Sequence, residues 1–304
     1  MRKILTAATV LAATLTLLPA PAEASVLWSR VRYVSASRCS SGGPCGPWVL
    51  STVNGNNLRF PDARVHPLSK RGKPIKYRLS PIGVNGDGTR VAYIRDADGQ
   101  VVVRDRGGAL FSLFKGSPQD LMLSLDGARL AASMRGRVRV YDVASGRHLS
   151  TLPKGQAFEG FSGDGDELLT SKDGTLYSHT LGGRELARSK VKAAGPYALN
   201  ADGVTVAWLT EDRGKGRAVL WDLASDRPNV RTWVWLPDYK GMMQDVEMLD
   251  WTANKQLTVH VVDDVMHSPR SMHVLQLDLA TSRFTLRDRF AVREEAYGFE
   301  ACGG

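Results

Sequence analysis

Five carboxylates, Asp120, Glu159, Glu247, Asp250 and Glu300, sit in short apolar segments and raise the first chemical question. Glycoside cleavage needs two acids at a suitable separation, one to protonate the leaving oxygen and one to act as base or nucleophile. Their spacing along the chain pairs none of the five with another. Gly160-Phe161-Ser162-Gly163-Asp164 misses the spacing of a nucleophile elbow. No Gly-rich segment ends in Lys-Ser or Lys-Thr, as a phosphate-binding loop requires. Asp263-Asp264-Val265-Met266-His267 offers two carboxylates and an imidazole to a cation, against the plainer reading of a long solvated loop. Asp96-Ala97-Asp98-Gly99 and Asp164-Gly165-Asp166-Glu167 carry part of a calcium-ligand spacing without its closing glutamate. The six histidines are scattered and read as structural or surface residues. No metal, cofactor or catalytic residue is expected.

Cys39 and Cys45 share one glycine-rich loop, and Cys302 lies near the C-terminus. In an oxidising compartment the near pair is expected to bond, leaving Cys302 free; a bond from Cys302 to either is the alternative. Basic residues, often lysine followed by glycine, recur as Arg71-Gly72-Lys73, Lys115-Gly116, Lys154-Gly155, Lys190 with Lys192, Lys240-Gly241, and Arg293. Gathered at one mouth of a channel, they would focus a field that attracts anions. The competing account is that lysine and glycine simply suit exposed turns. Near Lys240, Trp233 and Trp235 share one strand face and read as packing. Tyr239, Met242 and Met243 lie beyond that strand and read as contact surface.

The elements that position these residues follow from an internal repeat. A turn recurs as Asn85-Gly86-Asp87-Gly88, Ser124-Leu125-Asp126-Gly127, Ser162-Gly163-Asp164-Gly165 and Asn200-Ala201-Asp202-Gly203. A degenerate fifth copy is Trp251-Thr252-Ala253-Asn254. Each turn lies between apolar strands, and the Asp-Gly pairs supply the positive φ of tight hairpins. A third strand follows at the same beat: Val101–Asp105, Val138–Asp142, Leu176–Thr180, Val219–Asp222 and Val274–Asp278. No stretch after the N-terminal segment keeps a helical period. Four strands per unit of about 40 residues is the pattern of a propeller blade.

Ser124-Leu125-Asp126-Gly127-Ala128-Arg129-Leu130-Ala131, continuing to Val140-Tyr141-Asp142-Val143-Ala144-Ser145-Gly146, resembles the repeat of WD-repeat and TolB-type propellers. Trp221-Asp222 is a literal WD dipeptide, although the Gly-His element of full WD repeats is missing. The resemblance covers about residues 76–290 and implies a fold, not a task. In such propellers the link from the outer strand of one blade to the inner strand of the next shares a face with the second-to-third-strand hairpins. That face is the usual ligand surface, and every basic motif above falls on such a link.

Val31–Val34, Trp48–Val53 and Leu58–Phe60 read as second, third and fourth strands lacking a first. Glu295–Glu300 resembles the opening strand Gln156–Phe161, so the C-terminal tail is expected to complete the N-terminal blade. The expected fold is all-β: a single propeller over residues 25–304, with six blades and a closing blade shared by both termini. Seven blades is the alternative.

Residues 1–24 read as a signal peptide. Arg2 and Lys3 precede an apolar run, and Ala22-Glu23-Ala24 offers a cleavage site before Ser25. The run is shorter than the roughly 20 apolar residues a membrane span needs. The expected location is therefore extracytoplasmic, with no transmembrane segment. The net charge of +9 falls by one without the signal. A basic exported protein points to anionic wall polymers, acidic glycans or lipid headgroups, and away from nucleic acid.

Two readings result. The favoured one is an exported monomeric interaction module that takes a protein or an anionic polymer on the link face. Its expected contacts are Lys73, Lys115, Lys154, Lys192, Lys240, Arg293, Tyr239 and Met242. The alternative is a propeller-type carbohydrate-active hydrolase or lyase using the channel carboxylates.

Overall fold

A computed structural model describes residues 28–212, 215–225, 231–236, 246–253, 255–263 and 270–301. The signal segment and the sequence candidates Tyr239, Lys240, Met242, Met243, Asp264–His267 and Cys302 lie outside the described residues. No helix of the described residues is long and apolar enough to cross a membrane.

The first strands are β1 (Val31–Arg38), β2 (Pro44–Thr52) and β3 (Asn57–Phe60). Five complete blades follow. They are β4 (Ile82–Val84), β5 (Arg90–Ile94), β6 (Gln100–Asp105) and β7 (Leu110–Lys115), then β8 (Asp120–Leu123), β9 (Arg129–Met134), β10 (Arg137–Asp142) and β11 (His148–Thr151). The fourth blade is β12 (Ala157–Phe161), β13 (Glu167–Lys172), β14 (Thr175–Thr180) and β15 (Glu185–Lys190). The fifth is β16 (Tyr197–Leu199), β17 (Thr205–Asp212), β18 (Lys215–Asp222) and β19 (Arg231–Leu236). The sixth is β20 (Val246–Ala253), β21 (Gln256–Asp263), β22 (Ser271–Asp278) and β23 (Arg283–Ala291), and the chain ends in β24 (Ala296–Ala301). Each blade is a four-stranded antiparallel sheet, and β24 joins the first as β24-β1-β2-β3. The ring has six blades, with the composite closing blade that the sequence implies.

The repeated turn locks each blade internally and clamps it to the next. In the second blade Asn85 Nδ2 donates to Asp87 Oδ1 (2.7 Å), and the Arg90 amide donates back to Asn85 Oδ1 (2.7 Å). Ser124 and Ser162 reproduce this with hydroxyls donating to Asp126 and Asp164. The closing glycines, Gly88, Gly127, Gly165 and Gly203, all have φ between +69° and +80°, where a Cβ is strained. Between blades, the Gly86 amide donates to Leu125 O (3.1 Å) and the Gly163 amide to Leu199 O (3.0 Å). Where the fifth turn has lost its Asp-Gly, the Trp251 indole N–H takes over and donates to Ala198 O (3.1 Å).

The apolar core is divided among the blade junctions. One buried cluster joins the first and second blades (Val34, Leu50, Phe60, Val91, Tyr93), and another joins the second and third (Ala92, Val101, Leu121, Leu130, Tyr141). The remaining clusters fill the other four junctions in the same way. Ring closure depends on the junction of sixth and first blades. There Tyr33 stacks on Phe290 at 5.4 Å between centroids, and Arg32 forms a two-pronged pair with Asp288 (2.7 and 2.9 Å). At the next junction Arg104, whose side chain is 5% exposed, donates to Asp62 Oδ2 (2.6 Å) and to the Tyr93 hydroxyl (3.1 Å). Tyr93 in turn donates to Asp62 (2.6 Å). Burial and the Asp62 charge push the Tyr93 phenol well above its ordinary pKa.

Candidate functional site

In the second, third and fourth blades the basic motif follows an outer strand, and the link then docks on the second-to-third-strand hairpin of its own blade. Lys115 ends β7, and the Gly116 amide donates to Gly99 O (3.3 Å). In the next blade the Gly155 amide donates to Gly136 O (2.9 Å), and in the fourth the Val191 amide donates to Gly174 O (2.9 Å). Glycine after lysine thus has a backbone task, most plainly at Gly155, whose φ is +84°. The lysine side chains have no such task. Lys73, Lys115, Lys154, Lys190 and Lys192 are exposed, and among the described residues none of them pairs with a carboxylate. Arg293 differs, because its guanidinium is half-buried and pairs with Glu295.

These cations do not line the channel. The inner strands enclose a cavity of about 220 Å³ whose charged lining consists of Glu159, Glu247, Asp250 and Glu300. A second cavity of about 300 Å³ adjoins it between the sixth and first blades. Glu247, Met248 and Glu300 line both, joined in the second by His260 and Arg270. The sequence shows no pairing among these acids, yet the ring brings them together from three blades, with Glu247 and Asp250 both on β20. Burial first, then the charges of Asp120 and Glu247, raise the Glu300 carboxyl to about 8. Glu300 therefore holds its proton at neutral pH. Burial raises Asp250 to about 6, and its Oδ2 has no hydrogen-bond partner. Burial also raises Asp120, and it lowers His260 to about 4, keeping that imidazole neutral.

The remaining candidates are accounted for by packing. Ser162, the would-be nucleophile, is held inside its turn, its hydroxyl 2.7 Å from Asp164 Oδ1 and 2.9 Å from Glu167 Oε2 with one proton to share between them. Asp96 and Asp98, the first partial calcium set, pair with Arg64 (3.1 Å) and Arg95 (2.6 Å). His179 is buried beside Thr170, 3.1 Å from its hydroxyl, and burial lowers its pKa. Cys39 and Cys45 form a disulfide across the β1–β2 hairpin.

One feature of the link face is invisible in the repeat. Residues 61–81, between β3 and β4, fold back on themselves. The Ile75 amide donates to Pro67 O (2.8 Å), the Ser69 amide to Lys73 O (2.8 Å) and the Ser80 amide to Val65 O (2.8 Å). The result is a small β-like finger with Lys70-Arg71-Gly72-Lys73 at its tip.

No protein-family model and no curated protein matches the chain. Solved structures do match. Hydrazine synthase from Kuenenia stuttgartiensis is 15% identical over 68% of this chain and 65% of that one, with a TM-score of 0.41. TolB from Acinetobacter baumannii is 14% identical over 90% of this chain and 65% of that one (TM-score 0.44). A protein assigned as TolB from Agrobacterium tumefaciens is 12% identical over 88% of this chain and 92% of that one (TM-score 0.46). The chain thus spans just under two thirds of the first two. The fold rests on the chain's own sheets: six four-stranded sheets make this a six-bladed β-propeller.

Proposed function

We propose that the protein is an exported interaction module that holds an anionic polymer across its link face. The supporting observation is the set of exposed lysines without a carboxylate partner among the described residues: Lys115, Lys154 and Lys192 on links whose backbones the hairpins fix, and Lys73 on the self-paired segment between β3 and β4. A rigid array of cations gains affinity from a flexible polyanion without paying to order its own loops. A protein partner with an acidic surface would use the same array. The test is binding of the mature chain to a soluble polyanion as salt is raised, because exposed charges are screened beyond about 8 Å at physiological ionic strength. Replacing Lys115, Lys154 and Lys192 with glutamine is expected to remove most binding and leave the melting temperature unchanged. Arg129 and Arg147, outside the links, serve as the control. Equal loss from the control set would reduce the effect to bulk charge.

A second reading, a glycan hydrolase or lyase, is favoured by the channel acids. Glu300 is protonated at neutral pH beside Glu247 and Asp120, which suits it to protonate a leaving oxygen. Release of reducing ends from acidic and neutral glycans, abolished by Glu300→Gln, is the expected signature. Turnover unaffected by that substitution would remove this reading.

A further inference from the structure

We propose that the finger between β3 and β4 is the recognition site for an acidic polysaccharide, with Tyr77 as the platform for a sugar ring and Lys73, Lys76 and Arg78 as partners for its anionic groups. This rests on the anion-binding reading of the link face and adds a site and a ligand class to it.

Charge is the first argument. Lys70, Arg71, Lys73, Lys76 and Arg78 are all exposed. No acidic residue lies between Asp62 and Asp87, so the finger carries no internal neutralisation. Arg64, at its base, is the exception, being paired with Asp96.

Tyr77 is the second. It is 59% exposed, the largest exposure among the large hydrophobic side chains of the described surface. It also holds φ at +64°, a conformation costly for an aromatic residue and kept only where the surroundings enforce it. Those surroundings are visible. The Tyr297 hydroxyl donates to Tyr77 O (2.9 Å), and Arg38 covers the Tyr297 ring at 5.8 Å. The Tyr77 ring lies against Gly43 of the disulfide hairpin, so close that a Cβ there would sit 3.0 Å from its Cδ1. Leu79 anchors the base of the finger on Gly298 of the closing strand. The Cδ1–Cε1 edge of the ring therefore rests on glycine, the rest is offered to solvent, and Lys76 and Arg78 are its neighbours along the chain.

An exposed aromatic face flanked by positive charge matches a polymer that alternates apolar ring faces with carboxylates or sulfates. A bare polyanion needs no ring, and a lipid surface presents headgroups without a repeating ring face.

The experiment measures affinity of the full mature chain for polygalacturonate oligomers, for inorganic polyphosphate, and for phosphatidylglycerol vesicles. Tyr77→Asn removes the ring while keeping a residue that tolerates positive φ. It is expected to weaken polygalacturonate binding by about fivefold to tenfold, the scale of one aromatic contact, and to leave polyphosphate binding within about twofold. Replacing Lys73, Lys76 and Arg78 together with glutamine should weaken both. A Tyr77→Asn variant with unchanged polygalacturonate affinity overturns the proposal, as does an equal dependence of vesicle binding on Tyr77. If Lys115, Lys154 and Lys192 govern polyanion binding and the finger does not, the finger proposal fails and the link-face reading stands. If the wild type binds neither polymer, both fall.

Discussion

Replacing Glu300 with glutamine tests the acidic channel through stability alone, with no ligand required. The Glu300 carboxyl sits at about 8 in the folded protein, against an ordinary 4.5. Burial is the main cause, and Asp120 and Glu247 add repulsion. The unfolded chain loses this proton near pH 4.5, whereas the native protein keeps it to about pH 8. Within that window the native state binds more protons than the unfolded state, so this group makes stability fall as pH rises, and the loss is complete above about 8. At about 1.4 kcal/mol per pH unit the full shift corresponds to roughly 5 kcal/mol. On the effective dielectric of such sites about 2–4 kcal/mol of it is expected. Glutamine mimics the protonated acid and does not titrate. The variant should match the wild type near pH 4.5 and be more stable at pH 8.5, by on the order of 5–15 °C in a domain of this size. Thermal melts at pH 4.5, 6.5 and 8.5 decide the matter. A melting difference that is the same at all three pH values would refute the assignment of Glu300 as a buried, proton-holding acid.

Three further outcomes follow from the fold. Arg104→Ala leaves Asp62 and Tyr93 without their buried partner and should cost about 3–5 kcal/mol in urea unfolding; a loss below about 1 kcal/mol would show that the network is not buried in solution. Removing residues 296–304 exposes the inner edge of β1 and deletes the β24 side of the Tyr33–Phe299 contact. The melting temperature should drop by more than about 10 °C, and an unchanged value would mean that β24 does not close the ring. Replacing Cys39 and Cys45 with serine should cost a modest part of the roughly 2–4 kcal/mol typical of disulfides, because the enclosed loop is short. A non-reducing peptide map that links Cys302 to either cysteine would exclude the pairing.

What could be read from the sequence was what each blade encodes for itself. The Ser/Asn-x-Asp-Gly turn, the third strand and the incomplete first blade are local patterns. Their consequences, four strands per blade and a C-terminal strand paired to β1, follow from local hydrogen bonding. The lysines on the links were legible for the same reason. The role of the glycine after them was not, because it needs the position of a hairpin some 17–19 residues earlier, as with Gly116 and Gly99 or Gly155 and Gly136. Convergence across blades was also hidden. Asp120, Glu247 and Glu300 come from three different inner strands, and only ring closure makes them neighbours. The finger escaped because nothing repeats it: its proline-rich, basic segment reads as an ordinary link until Val65 pairs with Ser80.

The two charge signs constrain how any partner sits. The link lysines lie at the ends of outer strands, just beyond them and in the finger, whereas the charged lining of the central cavity is acidic. A polyanion attracted to the link face therefore meets opposing charge if it turns into the channel, and it gains most by running across the links from one blade to the next. The protonation of Glu300 softens that opposition without reversing it, since Glu159 and Glu247 share the lining. Mature protein carrying Glu300→Gln should then bind acidic polymers more tightly at pH 8.5, where Glu300 has lost its proton, with little gain at pH 6. The comparison is a titration of the same polymer into wild type and variant at the two pH values. No gain at either pH would mean that the channel is too far from the bound chain to repel it, and that the links alone set the affinity.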